Sequence, residues 1–344
     1  MNAAAIIAIP DSEPERLFKV PGSIKTDYHA LAMFWHPDRN DSPRAADVLA
    51  RINALYKLAQ DKIAKGIWHP PGQIEITGSD GKRRAIKYRA RRTFELGEMF
   101  IGMQLVTFVI PKQHENLVLA GLKCVGSMRY PDNRFRLSLE PHLPKVEKMF
   151  DAADKSSVIC VRKRPDEILL ADLIKHMGGS IPPKHVAWII SSLLNLACYL
   201  QISGMTVNGL SPSTVFVSPQ KHAVSLYGGW WYAAPEGRPI TALSPETFPL
   251  ASRKLRMGKI AGHELDLESI KAIGRACLGD LSGGSFRGRK DLPAPFTQFL
   301  QLPATKPAVV EYENWPKILE ASFGPRRYLE LNISGNDVYP DGEN

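Results

Sequence analysis

His36, Pro37 and Asp38 stand together and are followed by Arg39 and Asn40. A carboxylate such as Asp38, held in an exposed loop, can accept a charge-assisted hydrogen bond from an arginine on another molecule. His36 and Pro37 would stiffen and shape that loop, since proline fixes its own φ and disfavours helix in the residue before it. The cysteines Cys124, Cys160, Cys198 and Cys277 make no Cys-x-x-Cys pair, and no His/Cys cluster has metal-ligand spacing. Neither metal nor cofactor is expected, and the cysteines read as buried, reduced thiols of a cytoplasmic protein. The formal charge of +9 is moderate. Residues 1–66 hold nine Lys/Arg against eight Asp/Glu, so the excess lies downstream. It is densest at Lys82, Arg83, Arg84, Lys87, Arg89, Arg91 and Arg92. Such a run is either a solvated strand and turn or a contact for phosphates or an acidic partner.

Helices must position the His36–Asp38 tripeptide. Ser23 is placed as an N-cap, and Ile24, Tyr28, Leu31, Ala32 and Trp35 follow at spacings that share one helical face. Pro37 ends that helix. Ser42 and Pro43 read as the next N-cap and first helical residue. Leu49, Ile52, Tyr56 and Ala59 form the next apolar stripe. The two helices should pair antiparallel with residues 36–42 at the tip, and Leu17, Phe18 and Val20 should cap the open side. The stretch from Ile24 to Asn40 resembles helix II and the loop of J-domains, and Ala46 to Asp61 resembles helix III. The resemblance covers residues 14–62. It implies a contact with a DnaK-type chaperone whose ATP hydrolysis the tripeptide stimulates, through Lys25, His36, Pro37, Asp38, Arg39 and Asn40. The sequence departs from the family at Thr26, His29, Ala30 and Phe34, where basic residues are usual. Fewer basic contacts imply slower encounter and weaker binding.

After Pro70, Pro71 and Gly72 the pattern turns to short strands, at 74–77, 85–88, 99–103, 104–110, 146–150 and 158–162, with a helix at 116–125. From there the chain is mostly helical, with His185 to Leu200 apolar over a broad face. The fold class is therefore α+β: a helical hairpin, a small β-rich lobe and a larger helical lobe. The expected boundaries are 1–66 for the helical domain, 67–83 for a linker, 84–334 for the second domain and 335–344 for a flexible tail. No apolar run approaches the roughly 18 residues of a membrane span. Ala3 to Ile9 is short and has no basic residue before it, so no secretory signal and no membrane partner are expected.

The second domain resembles protein kinases in the order of its segments. Leu169 to His176 is similar to the helix after the hinge, and Val186 to Leu200 to the helix before the catalytic loop. Met205 to Val217 resembles that loop and the next strand. Leu226 to Gly229 stands where the family has its metal-binding Asp-Phe-Gly. Ser244, Pro245 and Glu246 resemble the Ala-Pro-Glu element, and Asp266 begins the helix whose aspartate braces the catalytic loop. Kinase chemistry needs a strand lysine for the phosphates, a loop aspartate, and an asparagine and aspartate for magnesium. On this resemblance the loop aspartate position is Gly209, the asparagine position Thr214 and the magnesium aspartate position Tyr227. The strand over 106–110 holds no lysine, Lys112 lying just past it, and no Gly-x-Gly-x-x-Gly loop precedes it. Degenerate positions Gly209, Thr214, Tyr227 and Gly229 thus imply a pseudokinase. Asp266 and Glu246 are expected to brace the fold, Glu246 through Arg275, Arg326 or Arg327. Trp230 and Trp231 either pack the former cleft or anchor a protein partner.

Together these readings describe a non-catalytic co-chaperone or adaptor, in which the J-like domain engages a DnaK-type chaperone and the second domain binds a protein client. The rivals are an atypical nucleotide-using kinase or transferase, and a nucleic-acid-binding adaptor working through the stretch 82–92.

Overall fold

A computed structural model of the chain describes residues 1–66, 68–69 and 72–339. It divides into two compact units, Met1–Ala90 and a second from Arg91 onward.

The first unit contains α1 (Ala3–Ile7), α2 (Ile24–Phe34) and α3 (Ala45–Ala64). Helix α3 buries Val48, Ile52, Leu55 and Ala59 against Ile6, Phe18, Ile24 and Trp35. Each Val, Leu, Ile or Phe among these contributes about 1.5–3 kcal/mol when fully buried. The buried stripe of α3 is rotated from the expected one, because Leu49 is only partly buried and Tyr56 lies at the margin, stacked on Tyr28 with ring centroids 4.1 Å apart. The expected caps also shift. Ser23 closes a short 3-10 turn, and its hydroxyl donates to Asp27 at 2.7 Å instead of accepting from the helix. Pro43 stays in a turn, and α3 begins at Ala45. Phe18 closes the open side of the hairpin as expected, whereas Val20 is exposed. Three ion pairs fasten the chain before α2: Arg16 to Glu13, Arg51 to Asp11, and Lys62 to the buried Glu15.

The expected linker is partly a β-hairpin. Strands β1 (Gln73–Thr77) and β2 (Arg83–Lys87) pair antiparallel, Ile74 opposite Ile86, and belong to the first unit. Pro70 and Pro71, where the break was placed, lie outside the described residues.

The second unit opens with five strands, β3 (Ala90–Phe94), β4 (Gly97–Ile101), β5 (Leu105–Ile110), β6 (Val146–Asp151) and β7 (Ser157–Arg162), in the sheet order β3-β4-β5-β7-β6. Helices α4 (Glu115–Gly126) and α5 (Asn133–Leu139) lie between β5 and β6 in the chain. The central β5 and β7 are the most apolar, and Val106, Phe108, Ile110, Val158, Ile159 and Val161 are all buried. Strand β3 was not expected, since its arginines masked its period.

There follow β8 (Ile168–Leu169), α6 (Leu170–His176), α7 (Pro183–Ile202), β9 (Met205–Thr206), β10 (Val215–Ser218), β11 (Ala223–Leu226) and β12 (Ala234–Pro235). The last helices are α8 (Arg253–Gly258), α9 (Glu264–Cys277), α10 (Ala294–Gln301), α11 (Ala308–Phe323) and α12 (Gly335–Val338). Helix α7 packs against α9 and α11. Contrary to the sequence reading, α7 is long and apolar enough to cross a bilayer, and 61% of its most apolar stretch is buried in the fold. Its apolarity has a sufficient cause there, since a helix enclosed on most sides is apolar on most sides.

The expected tail begins with structure. Ser334 and Asp337 form a capping box on α12. Beyond it Tyr339 is buried, and its hydroxyl donates to Asp172 at 2.9 Å and accepts from the Leu169 amide at 3.0 Å. Residues 340–344 lie outside the described residues.

Candidate functional site

The tip of the α2–α3 hairpin is built from local hydrogen bonds. The amides of Arg39 and Asn40 both donate to the His36 carbonyl at 2.9 Å. The Asn40 side chain donates to the Phe34 carbonyl at 2.9 Å and accepts from the Ser42 amide at 3.0 Å. The Asp38 amide donates to Nδ1 of His36 at 3.3 Å, which places the proton of a neutral imidazole on Nε2. Buried Trp35 anchors the near end. The loop is thus held by its own groups while the Asp38 side chain is 87% exposed, its carboxylate 3.7 Å from Nδ1 of His36. Arg39 is exposed beside it. Lys25 is also exposed, but it sits at the start of α2, about 15 Å along the axis from the tip at 1.5 Å per residue.

The positions aligned with kinase chemistry lie together in the second unit, and their polar groups are committed to one another. Thr214 donates to the Gly209 carbonyl at 2.8 Å and accepts from the Ser211 amide at 2.9 Å. The Tyr227 hydroxyl donates to Glu167 at 2.5 Å, and Ser225 donates to the other oxygen at 2.6 Å. Arg164 completes the set with its amide at 2.9 Å and its guanidinium at 2.6 Å from Glu167. Burial, then the Glu167 charge, pushes the Tyr227 phenol well above its ordinary range. Gly229 adopts a left-handed φ of +76°, and the Trp230 indole donates to the Tyr227 carbonyl at 3.0 Å. Glycine, threonine and tyrosine at 209, 214 and 227 bring no carboxylate for magnesium. Among the described residues no group of three or more His, Cys, Asp or Glu is placed to hold a metal ion.

Trp230 and Trp231 are each 1% exposed, so neither can serve as a surface anchor. Trp231 packs on Phe94 and Phe108 at centroid distances of 5.2 and 5.1 Å. Helix α4 approaches so closely that a Cβ on Gly121 would lie 2.6 Å from the Trp230 carbonyl oxygen. Packing inside the second unit is therefore the role observed for these rings.

Asp266 holds the loop before β10. It accepts from the amides of Val207 and Asn208, both at 2.8 Å. Burial pushes its acid up to about 6, against the lowering effect of those two amides. Asn208 takes a left-handed φ of +60°, its amide group donating to Thr206 at 2.9 Å and to the Tyr232 carbonyl at 3.0 Å. Glu246 does not play the expected part. It is exposed, Arg326 and Arg327 are exposed, and Arg275 donates instead to the carbonyls of Leu281 and Leu300, at 2.8 and 2.5 Å.

The basic run is largely spoken for. Arg84 makes two bonds to Asp80, at 2.8 and 2.5 Å, Arg91 pairs with Glu98 at 2.5 Å and Arg92 with Asp172 at 2.8 Å. Lys82, Arg83 and Lys87 are exposed. Glu167, Asn208 and Thr247, whose hydroxyl donates to the Asn208 carbonyl at 2.6 Å, escaped the sequence reading. Each also has a partner 24 to 60 residues away, which no stretch of neighbouring sequence displays.

The five-stranded antiparallel sheet followed by a mainly helical part gives the second unit a kinase-like layout. No family profile matches the chain, and no curated protein matches it. Among solved structures, one described as "Structure of vaccinia related kinase 3" is similar at a TM-score of 0.49 and 14% identity, covering 74% of this chain and 93% of that one. A likeness this distant carries no activity across.

Proposed function

We propose that the chain is a non-catalytic adaptor, a J-domain joined to a pseudokinase, which engages a DnaK-type chaperone through the tip of its helical hairpin and binds a protein client through its second unit. The observation that carries this reading is the Asp38 carboxylate. It is 87% exposed, 3.7 Å from Nδ1 of His36, at the end of a loop held by backbone and Asn40 hydrogen bonds, an arrangement suited to receive an arginine from a partner. The second unit supports a binding role because positions 209, 214 and 227 offer no catalytic acid and the former cleft holds Trp231 packed on Phe94 and Phe108. The test is the steady-state ATP hydrolysis of a bacterial DnaK with this chain and with its Asp38→Asn variant. Stimulation that the variant abolishes is expected; no stimulation by the unsubstituted chain would overturn the chaperone part of the reading.

A second reading, an atypical nucleotide-using transferase, draws on the kinase-like layout and on Asp266 bracing the loop at Val207 and Asn208. Ligands that bind the folded state raise its melting temperature. ATP with magnesium is expected to leave the melting temperature unchanged, and a dose-dependent rise would favour the transferase instead.

A further inference from the structure

Residues 247–263 contain four Lys/Arg and no Asp or Glu. Helix α8 falls within them, with Arg253, Lys254 and Arg256 exposed. Its buried Leu255 joins a small core with Ile240, Ala251, Ala261 and Leu265, which fixes the helix to the body of the unit. The segment after α8 pairs with residues 237–240: the Ile240 amide donates to the Lys259 carbonyl, and the Ala261 amide donates to the Arg238 carbonyl, both at 2.8 Å. That pairing, centred on Pro239 and Ile260, carries exposed Arg238 on one side and exposed Lys259 on the other. Among the described residues none of these five cations has a carboxylate partner. The same stretch of chain exposes Met257, at 78%, Ile260, at 47%, and Phe248, at 48%. Arg256 ties the patch together, its Nε donating to the Ala251 carbonyl at 2.8 Å and its guanidinium lying 5.3 Å from the Phe248 ring centroid.

We propose that this surface, residues 237–240 and 248–260, is the client-docking face of the second unit and takes an acidic peptide segment bearing apolar side chains. The inference rests on the reading of the second unit as a binding module. Unpaired cations on a rigid surface call for a partner of opposite charge, which sets encounter rate and register. Exposed Met257 and Ile260, in the same stretch of chain as the charges, supply apolar contact, and methionine adapts to partners of varied shape. A nucleic acid fits less well, because the patch aromatic, Phe248, already has a guanidinium against its ring and offers a poor stacking platform. A lipid surface fits less well, because α8 turns its central apolar residue, Leu255, into the core rather than outward.

The test uses the full chain and a short fluorescein-labelled peptide of alternating Glu and Leu, read by fluorescence anisotropy. Saturable binding is expected, and a matching peptide with Gln in place of Glu should not bind. Reversing Arg253→Glu and Lys254→Glu together should weaken binding about tenfold or more, with a smaller salt dependence. Met257→Ser, which touches no charge, should weaken it as well. Melting curves check that each variant is folded, and all substitutions lie at exposed positions. Absence of binding by the acidic peptide, or affinity unchanged in both variants, would overturn the proposal. So would capture of phosphatidylserine vesicles or a single-stranded oligonucleotide, in place of the peptide, through the same residues. Peptide affinity is measured without chaperone, so failure here and failure of DnaK stimulation are separate results.

Discussion

An aspartate has no room at position 209. A Cβ there would lie 2.7 Å from the Gly229 carbonyl oxygen and 3.0 Å from the Tyr232 ring, and the closest obstacle is backbone. Gly229 is constrained reciprocally, since its own Cβ would press on the Gly209 carbonyl. Introducing an acid by Gly209→Asp should therefore destabilise the second unit by about 1–3 kcal/mol, the usual cost of overpacking, and should not confer magnesium-dependent ATP binding. Urea denaturation and a thermal-shift titration check the two halves of that expectation. Trp231→Ala should cost about 3–5 kcal/mol, as for other fully buried tryptophans. A surface anchor would instead lose affinity for a partner and leave the urea midpoint unchanged. The sequence showed that residues 209, 214 and 227 lack acids, but it left the two tryptophans open between packing and recognition. Only their neighbours Phe94, Phe108 and Gly121 settle that question.

Helices and strands behave differently in how much of them was legible. Helices α2, α3 and α7 follow an apolar period that any window of their own sequence displays, and the loop at 36–38 ends α2 for the local reason of its proline. Strand β3 and helix α12 were missed because their stabilising partners are remote. Arg92 on β3 reaches Asp172 on α6, and Tyr339 after α12 reaches the same carboxylate. Asp172 thus joins the sheet, the segment after it and the end of the chain. Tyr339→Phe should cost about 1–3 kcal/mol, because the buried Leu169 amide loses its acceptor. Hydrogen exchange at Leu169 should rise in that variant, and a rate equal to that of the unsubstituted chain would show that α12 is held by packing alone.

For the whole molecule, acid stability should have opposing parts. The Asp266 acid, pushed up from an ordinary 3.8 to about 6 chiefly by burial, ionises less readily folded than unfolded. Its contribution to stability is complete below pH 3.8 and is lost as pH rises through about 6. His185 and His222 act in the other sense. Burial lowers both from 6.5, so their contribution is present above that pH and lost on acidification. Asp80, Asp280, Asp291 and Asp337 are held below 3.8 by hydrogen bonds, led by those from Arg84, Ser282, Arg289 and Ser334, and their contribution is lost only below that pH. Comparison with Asp266→Asn isolates one term from the others. The deficit of the variant relative to the unsubstituted chain should be larger near about pH 4 than near about pH 7. Equal deficits by urea denaturation at the two values would mean that Asp266 does not titrate differently on folding.

What the sequence by itself determined is what neighbours along the chain can encode. The period of α2 and α3, the turn at Pro37, the order of strands before helices and the absence of an acid at 209, 214 and 227 all belong there. The tertiary structure alone decided which polar groups meet. Tyr227 finds Glu167 across 60 residues, and Leu169 finds Tyr339 across 170. It also decided that Arg92 is paired, with Asp172 80 residues on, while Arg253, Lys254 and Lys259 face solvent with no carboxylate partner among the described residues. The physical reason is the same throughout. A helix or turn is stabilised by contacts a few residues apart. The pairing of a buried polar group, or the exposure of a charge, depends on which distant surface packing brings against it.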